Sequence, residues 1–455
     1  MQTTGPINWP NPGRVLACAA LVTFLIALDS SLLNVSFPAI RSDFPRVSTS
    51  AIGWVINVYS LTLAILLAPA GRLADRWGSK RTLIAGFTIF MLGALCCGLS
   101  LTAGQLVVSR FLQALGGAMA LPASLAVILT NFHGKERAVA VGKWSAAGGI
   151  TAAAGPPLGA AVMHQGSWRL LFLLHVPLCL WGVWLSSRVL GDSRSQVKLP
   201  GIARAFSPVA AGMGLLVAAV TVPSLPAPAV FGAILVGALL IFMGVRLMQK
   251  EEQLHESFAD RGFALACLAT FCFGGVFGAL FISYDLALVG RFHFAIPAAA
   301  LLLTPIPLLS VPVARRSGGL HQRWHGGAIM VTGGLLLFSG ASFFLLMLLT
   351  DSFNALAWTA TVALSGAGIG LCFPGVSLAG VRGIPADFYA LASGLNQSCR
   401  HMGTVMGVVT VTFVSGPASG DFLAAWGLLV CFCAGTILTA AMFSAAPKLL
   451  GAAHD

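Results

Sequence analysis

Charge is what this chain has least of. Its 455 residues include only 14 Asp and Glu and 26 Lys and Arg, 9% in all, beside 57% hydrophobic residues. Soluble domains carry roughly 25% charged residues, so a water-exposed globule is excluded. Other absences narrow the function. No G-x-x-x-x-G-K-[ST] phosphate loop occurs, which leaves ATP-driven work without its cradle. No C-x-x-C occurs, and the ten cysteines (Cys18, Cys96, Cys97, Cys179, Cys267, Cys272, Cys372, Cys399, Cys431, Cys433) all lie in apolar stretches. They read as small core residues, and neither a metal nor another cofactor is expected. His321 and His325 stand four apart in a basic loop with no thiol or carboxylate beside them, and read as solvated. His164, Ser167 and His175 do not form a catalytic set at their spacing, so an enzyme is not expected; His175, in L-L-H-V-P, reads as a helix-bonded packing residue.

What the chain does have is long apolar runs. A spanning helix needs about 20 mostly apolar residues, and hydropathy predicts about fourteen such stretches. They cover 14–37, 50–70, 82–101, 104–130, 137–163, 168–190, 206–224, 227–248, 262–287, 295–314, 326–350, 354–379, 388–414 and 421–446. The pair 206–224 and 227–248, joined through Pro223, Pro226 and Pro228, also reads as one broken helix. The first stretch is too long for a signal-peptide core and lacks a small-residue cleavage site, so it is expected to remain as a span. The net charge of +12 alternates along the chain. Every second connection is basic, from Arg14 through Arg72–Arg81, Lys135–Lys143, Arg188–Arg204, Arg246–Arg261, Arg315–Arg323 and Arg382 to Lys448. The others keep only Arg41, Arg46, Arg169 and Arg291. Cytoplasmic loops are the basic ones, which predicts both termini in the cytoplasm and an even span number. The basic excess is thus a topology signal, and nucleic-acid binding is not expected.

The runs divide into a six-helix bundle over 1–190, loops with two inserted helices over 191–261, and a second six-helix bundle over 262–455. An internal echo supports the two halves. Gly71 to Trp77 reads G-R-L-A-D-R-W, and Gly318 to Trp324 repeats its spacing, with Leu320 at the place of Leu73, Arg323 at Arg76, and Gln322 at Asp75. Internal repeats of this kind mark secondary transporters with a midplane site.

Four motifs carry a resemblance. G-R-L-A-D-R-W-G-S-K-R runs from Gly71 to Arg81, between two apolar stretches. L-D-x-x-x-x-N-V-x-x-P runs from Leu28 to Pro38 and contains Asp29 and Asn34. Arg110, Gln113, Gly116 and Gly117 follow an R-x-x-Q-G-x-G pattern with one glycine shifted by Ala114 and Leu115. G-G-I-T-A-A-A-G-P-P-L-G-A places Gly148, Gly155, Pro156 and Gly159. In this order and on these spans, they resemble the major facilitator superfamily, specifically its 14-span drug:proton antiporter branch of the EmrB/QacA type. The resemblance implies an all-α polytopic membrane protein of the major facilitator fold, with two six-helix bundles plus two additional central helices. It also implies outward movement of a small amphipathic compound against proton entry, across a bacterial cytoplasmic (inner) membrane, by a monomer.

An ionisable side chain at the centre of a span costs ~2.5 to 3.5 kcal/mol on insertion scales, which makes it a functional candidate. Asp29 lies roughly 12 Å from the outer end of its helix, counting back from Pro38, and Arg110, on a helix running the opposite way, roughly 9 Å from the outer end of its own, so they share a depth. In the superfamily these two spans line the central cavity. Asp29 is expected to bind the proton, and a cationic substrate is a further candidate there, with Arg110, Gln113 and Asn34 around it. The alternative is a static pair that only joins two helices. Gly71, Asp75, Arg76, Gly78, Lys80 and Arg81 read as a cytoplasmic gate in which Asp75 meets a helix N-terminus or a basic residue, or else as a topogenic loop. Gly148, Gly155, Pro156 and Gly159 carry the antiporter motif by resemblance, and ordinary tight packing by their size. Asp285, Asn396 and Arg400 are candidate cavity residues, with Asp285 favoured as an interfacial acid. No further acid stands inside the last five spans, which leaves monovalent lipophilic cations, neutral compounds or a dedicated metabolite as cargo. Export of a natural product or other metabolite is the alternative function.

Overall fold

The computed structural model describes residues 11–164, 167–191, 261–320, 326–414 and 422–445, together with Trp324 and isolated positions between 208 and 258. Among these residues regular structure is helical throughout. The helices are α1 (Pro12–Asp43), α2 (Thr49–Trp77), α3 (Ser79–Gly98), α4 (Ala103–Asn131), α5 (Gly134–Met163), α6 (Arg169–Leu173), α7 (His175–Val189), α8 (Arg261–Gly290), α9 (Ile296–Leu303), α10 (Pro305–Leu320), α11 (Gly326–Thr350), α12 (Ala355–Ala379), α13 (Tyr389–Val414) and α14 (Phe422–Ala445). A 3-10 turn, Ala386–Phe388, precedes α13. Ten stretches of the described residues are long and apolar enough to cross a membrane. The helices α5 and α13, with 30 and 26 residues, match them in length. Both stretches expected at 206–224 and 227–248 lie outside the described residues apart from isolated positions, as does Gln322.

Two expected spans arrive as paired helices, and proline explains both breaks. The Pro177 ring opposes the carbonyl four residues back, at Leu173, where α6 stops. Leu174 keeps a right-handed helical conformation (φ −58°, ψ −28°), so the interruption is one residue wide. Pro305 and Pro307 likewise oppose the carbonyls of Leu301 and Leu303, where α9 stops before Thr304 and α10 begins.

The chain forms two compact units. In one are α1 to α4, both ends of α5, α6, α7 and residues 385–398; in the other are residues 141–153 of α5, α8 to α12, residues 399–414 of α13, and α14.

In the first unit α4 is the central element, and every residue from Gly116 to Leu129 is buried. Its start is set by a capping box: Thr102 Oγ1 accepts from the Gln105 N–H at 3.2 Å, and Gln105 Oε1 accepts from the Thr102 N–H at 3.2 Å. Helix α3 meets it backbone to backbone. A Cβ at Gly93 would lie 2.4 Å from the Gln113 nitrogen, and one at Gly116 would lie 2.2 Å from the Phe90 nitrogen. Lipid tails supply no hydrophobic drive between helices, so close packing of small residues holds them together. That contact sets the depth of Gln113 and, one turn earlier, of Arg110. Between α2 and α3, Gly78 (φ 95°, ψ 136°) ends one helix and starts the next. Its N–H donates to Ala74 O at 3.0 Å and its carbonyl accepts from the Thr82 N–H at 3.1 Å. Only glycine adopts that conformation without strain.

In the second unit, the Tyr284 ring packs against Phe344 and Trp358, with centroids 4.4 and 5.7 Å away. Its hydroxyl is 3.3 Å from Ser365 Oγ, and Trp426 Nε1 donates to Ala341 O at 2.7 Å. Both polar tips are thereby satisfied where no water competes.

Candidate functional site

Arg110, Asp29 and Gln113 come together in the first unit, each at most 1% exposed. Arg110 Nη1 donates to Asp29 Oδ1 at 2.7 Å, to Asp29 Oδ2 at 2.8 Å and to Gln113 Oε1 at 2.7 Å. Gln113 Nε2 donates back to Asp29 Oδ1 at 2.9 Å, which closes the triangle. Arg110 Nε donates to the Val55 carbonyl at 3.2 Å. The guanidinium carbon lies over the Tyr59 ring, 4.2 Å from its centre, and over the Phe172 ring, 5.6 Å from its centre. Two opposite charges taken from water survive only when their remaining donors and acceptors are met. Here oxygen meets the edges of the guanidinium and aromatic faces cover it, an arrangement suited to arginine's planar fork and not to lysine. Chemically, the cluster can accept one proton. Protonating Asp29 would cancel its charge, weaken both of its bonds to Arg110 and leave the guanidinium free to turn elsewhere.

Asn34 lies in α1 and Pro156 in α5, and the side chains of both are outside the described residues. Gly155 and Gly159 bring α5 against α1: a Cβ would lie 2.3 Å from that of Ser31 and 3.2 Å from that of Val35, respectively. Gly148 is half-buried on α5.

Asp75 stands near the end of α2, buried, and faces the start of α13. Its Oδ1 accepts from the Ala390 N–H at 3.0 Å and its Oδ2 from the Leu391 N–H at 2.8 Å. The first N–H groups of a helix have no partner of their own and carry the positive end of its dipole, so a carboxylate fits there. Gly71 lets the two helices approach, since a Cβ there would lie 2.2 Å from the Ala390 carbonyl oxygen. Arg72 lies 5.6 Å over the Phe388 ring, and Arg137 donates to the Tyr389 hydroxyl at 3.2 Å. Arg76 and Arg81 are exposed and Lys80 half-buried. Of the six expected gate residues, Gly71 and Asp75 make the contact and Gly78 shapes the turn beneath it. In the loop that echoes this one, Trp324 is 51% exposed, as is Trp77.

The remaining candidates are dispersed. Asn396 is buried in the first unit. In the second, Asp285 is half-buried on α8, and the Arg400 guanidinium lies 5.1 Å from the centre of the Phe373 ring with Nη2 3.0 Å from His401 Nε2.

Sequence reasoning missed the Val55 carbonyl and the Ala390 and Leu391 N–H groups, because backbone atoms leave no residue signature. It also missed Tyr59 and Tyr389. Rarity was a usable signal there: the chain has three tyrosines, and each one sets its ring or hydroxyl against a polar partner.

Comparison with known proteins agrees with this architecture. The family model for the Major Facilitator Superfamily matches residues 19–408. The chain is 27% identical over 421 residues to multidrug resistance protein Stp of Mycobacterium tuberculosis, covering 90% of this chain and 76% of that one. It is 28% identical over 429 residues to the tetracenomycin C resistance and export protein of Streptomyces glaucescens, covering 90% and 77%. The solved structure of the proton:xylose symporter XylE superposes with a TM-score of 0.71 at 13% identity, over 96% of each chain, a likeness of fold alone. A helical membrane architecture, its buried intramembrane ion pair and a match over most of its length lead to one assignment: the chain belongs to the major facilitator superfamily and is a multi-pass membrane transporter, not an enzyme.

Proposed function

We propose that this transporter exports small amphipathic compounds against proton entry, as a member of the 14-span drug:proton antiporter branch. The observation that carries the proposal is the Asp29 carboxylate, 1% exposed and bonded to Arg110 and Gln113. A buried acid that can trade a guanidinium for a proton is the minimum device for coupling. Relatives named for multidrug resistance and for tetracenomycin C resistance and export support an outward direction. In this reading Asp29 carries the proton, Arg110 and Gln113 hold the carboxylate until it is neutralised, and Asn34 belongs to the same coupling set through its motif. Asp75 latches α13 while access is to one face and lets go as it changes, with Arg76, Lys80 and Arg81 keeping the loop in the cytoplasm. Gly148, Gly155, Pro156 and Gly159 set the antiport geometry, and Asp285, Asn396 and Arg400 are each proposed as cargo contacts. The protein works as a monomer in a bacterial cytoplasmic membrane with both termini inside.

The test is proton-gradient-driven movement of ethidium, a lipophilic monovalent cation, in proteoliposomes. Movement in the wild type and its loss in Asp29→Asn is the expected result; undiminished movement in Asp29→Asn would remove Asp29 from the coupling. The tetracenomycin C relative favours a second reading, a dedicated natural-product exporter. Activity confined to one compound across a panel of dyes and polyketides would select it.

A further inference from the structure

His175 opens α7 and is 1% exposed. Its Nδ1 lies 3.1 Å from the Leu171 carbonyl oxygen and 3.3 Å from that of Phe172. Both partners only accept, so Nδ1 must carry the hydrogen, and in the neutral ring Nε2 is then a bare lone pair. Nε2 is buried and has no hydrogen-bond partner. An acceptor sealed from solvent without a donor is destabilising, and packing alone gives no reason to keep it. A phenylalanine would pack against the Phe90 ring, whose centre is 5.7 Å away, without that cost.

The position of the ring supplies a reason. Phe172, whose carbonyl takes one of the Nδ1 contacts, is also the residue whose ring faces the Arg110 guanidinium. One residue, Phe172, thus meets the imidazole with its carbonyl and the guanidinium with its ring. Around it, α1 brings Asp29 and α4 brings Arg110 within electrostatic reach, α3 brings the Phe90 ring, and Cys179 lies one turn further along α7. While Arg110 is paired with the Asp29 carboxylate the two charges offset one another, and when they part the carboxylate is left as a nearby negative charge.

We infer that His175 is a second proton-holding residue of the transporter, taking a proton at Nε2 when Arg110 leaves the Asp29 carboxylate and returning it when the pair re-forms. The inference rests on the coupling role proposed for Asp29 and extends it to a relay of two groups. The proton reaches Nε2 from the Asp29 carboxyl, whose O–H bond breaks as the N–H bond forms to leave a carboxylate and an imidazolium with no net change in charge, or from a hydronium ion, which leaves water and adds one positive charge to the protein.

The experiment is 15N NMR of histidine-labelled full-length protein in nanodiscs, with the His175 signals assigned by their loss in His175→Gln, or in His175→Asn should the first variant not fold. The expected result is the Nδ1–H tautomer at neutral pH, protonation of Nε2 on acidification, and a midpoint displaced by about one pH unit in Asp29→Asn. An Nε2–H tautomer, a ring that stays neutral down to pH 5, or a titration indifferent to Asp29→Asn would each overturn the inference. Ethidium transport keeps the two claims apart. If Asp29→Asn still transports but displaces the His175 midpoint, the electrostatic link stands and Asp29 is not the coupling acid. If transport is lost and the midpoint does not move, Asp29 couples alone.

Discussion

Removing one charge from the Asp29–Arg110 pair strands the other in a place without water, which typically costs 3 to 5 kcal/mol. Asp29→Asn is therefore expected to lower the unfolding temperature in detergent as well as to stop coupling. The double variant Asp29→Asn with Arg110→Gln should recover most of the lost stability and none of the coupling, and thermal unfolding of the three proteins checks the pair. Asp43 is a contrasting case. Its Oδ2 accepts from Trp168 Nε1 and from Arg169 Nη1, both at 2.8 Å, and its side chain is 43% exposed. The bond from Arg169, then that from Trp168, holds its carboxyl below the usual carboxylate range. A depressed folded-state value stabilises the fold above the unfolded carboxylate pKa, about 3.9, and the stabilisation is lost as pH falls through the lower folded value. The contribution is small, at most about 1 kcal/mol for so exposed a pair. Asp43→Asn should unfold slightly earlier than the wild type at pH 7 and together with it near pH 2.

Helix pairs in this protein are held by contacts that a single methyl can spoil. Gly93→Ala would place a Cβ 2.4 Å from the Gln113 backbone nitrogen, and overpacking of that kind costs about 1 to 3 kcal/mol. It should lower the unfolding temperature and, by shifting α4, weaken transport as well. Gly104→Ala is the control, since nothing lies within 4 Å of the added carbon; it should be neutral or gain up to about 1 kcal/mol from helix propensity. At the α2–α13 contact, Asp75→Ala removes two acceptors from the start of a helix, and charge-assisted bonds are worth about 1.5 to 3 kcal/mol each. Amide exchange at Ala390 and Leu391 should quicken while the rest of α13 remains protected. An unchanged rate at both would mean the contact is not the one that holds α13. These pairings show the limit of reading at this scale. Asp75 was legible as a gate acid because a carboxylate in a basic turn is conspicuous, but its partners were not, because they are N–H groups that every residue possesses. Pro177, Pro305 and Pro307 stood in the sequence as well, and became breaks only once the carbonyls they oppose were in place.

For the molecule as a whole, charge and hydropathy make the claims that can be tested without any transport assay. A fluorescent protein fused to the C-terminus should fold and fluoresce in the cytoplasm, as it does only when the last span ends inside. A reporter inserted at 225, between the expected seventh and eighth spans, should lie outside the cell if there are fourteen spans, and inside if that segment forms no membrane-crossing pair. That experiment decides the branch assignment, because the segment that separates fourteen spans from twelve is the part of the chain least distinct in its sequence.

Class, membrane residence and the identity of the buried acid were determined by sequence alone, because each depends on quantities that add along the chain: apolar run length, loop charge, and the cost of one carboxylate inside a span. The shared depth of Asp29 and Arg110 followed from the same counting, since a helix converts residue number into distance. What only the tertiary structure decided was the company each group keeps. Tyr59 over the guanidinium, the Val55 carbonyl on its edge and Asp75 on the α13 amides join residues far apart in the chain. The reason is physical: in lipid every polar group must find a partner inside the protein. Which partner it finds depends on how closely glycine-bearing helices pack, a property of pairs of helices that neither sequence carries by itself.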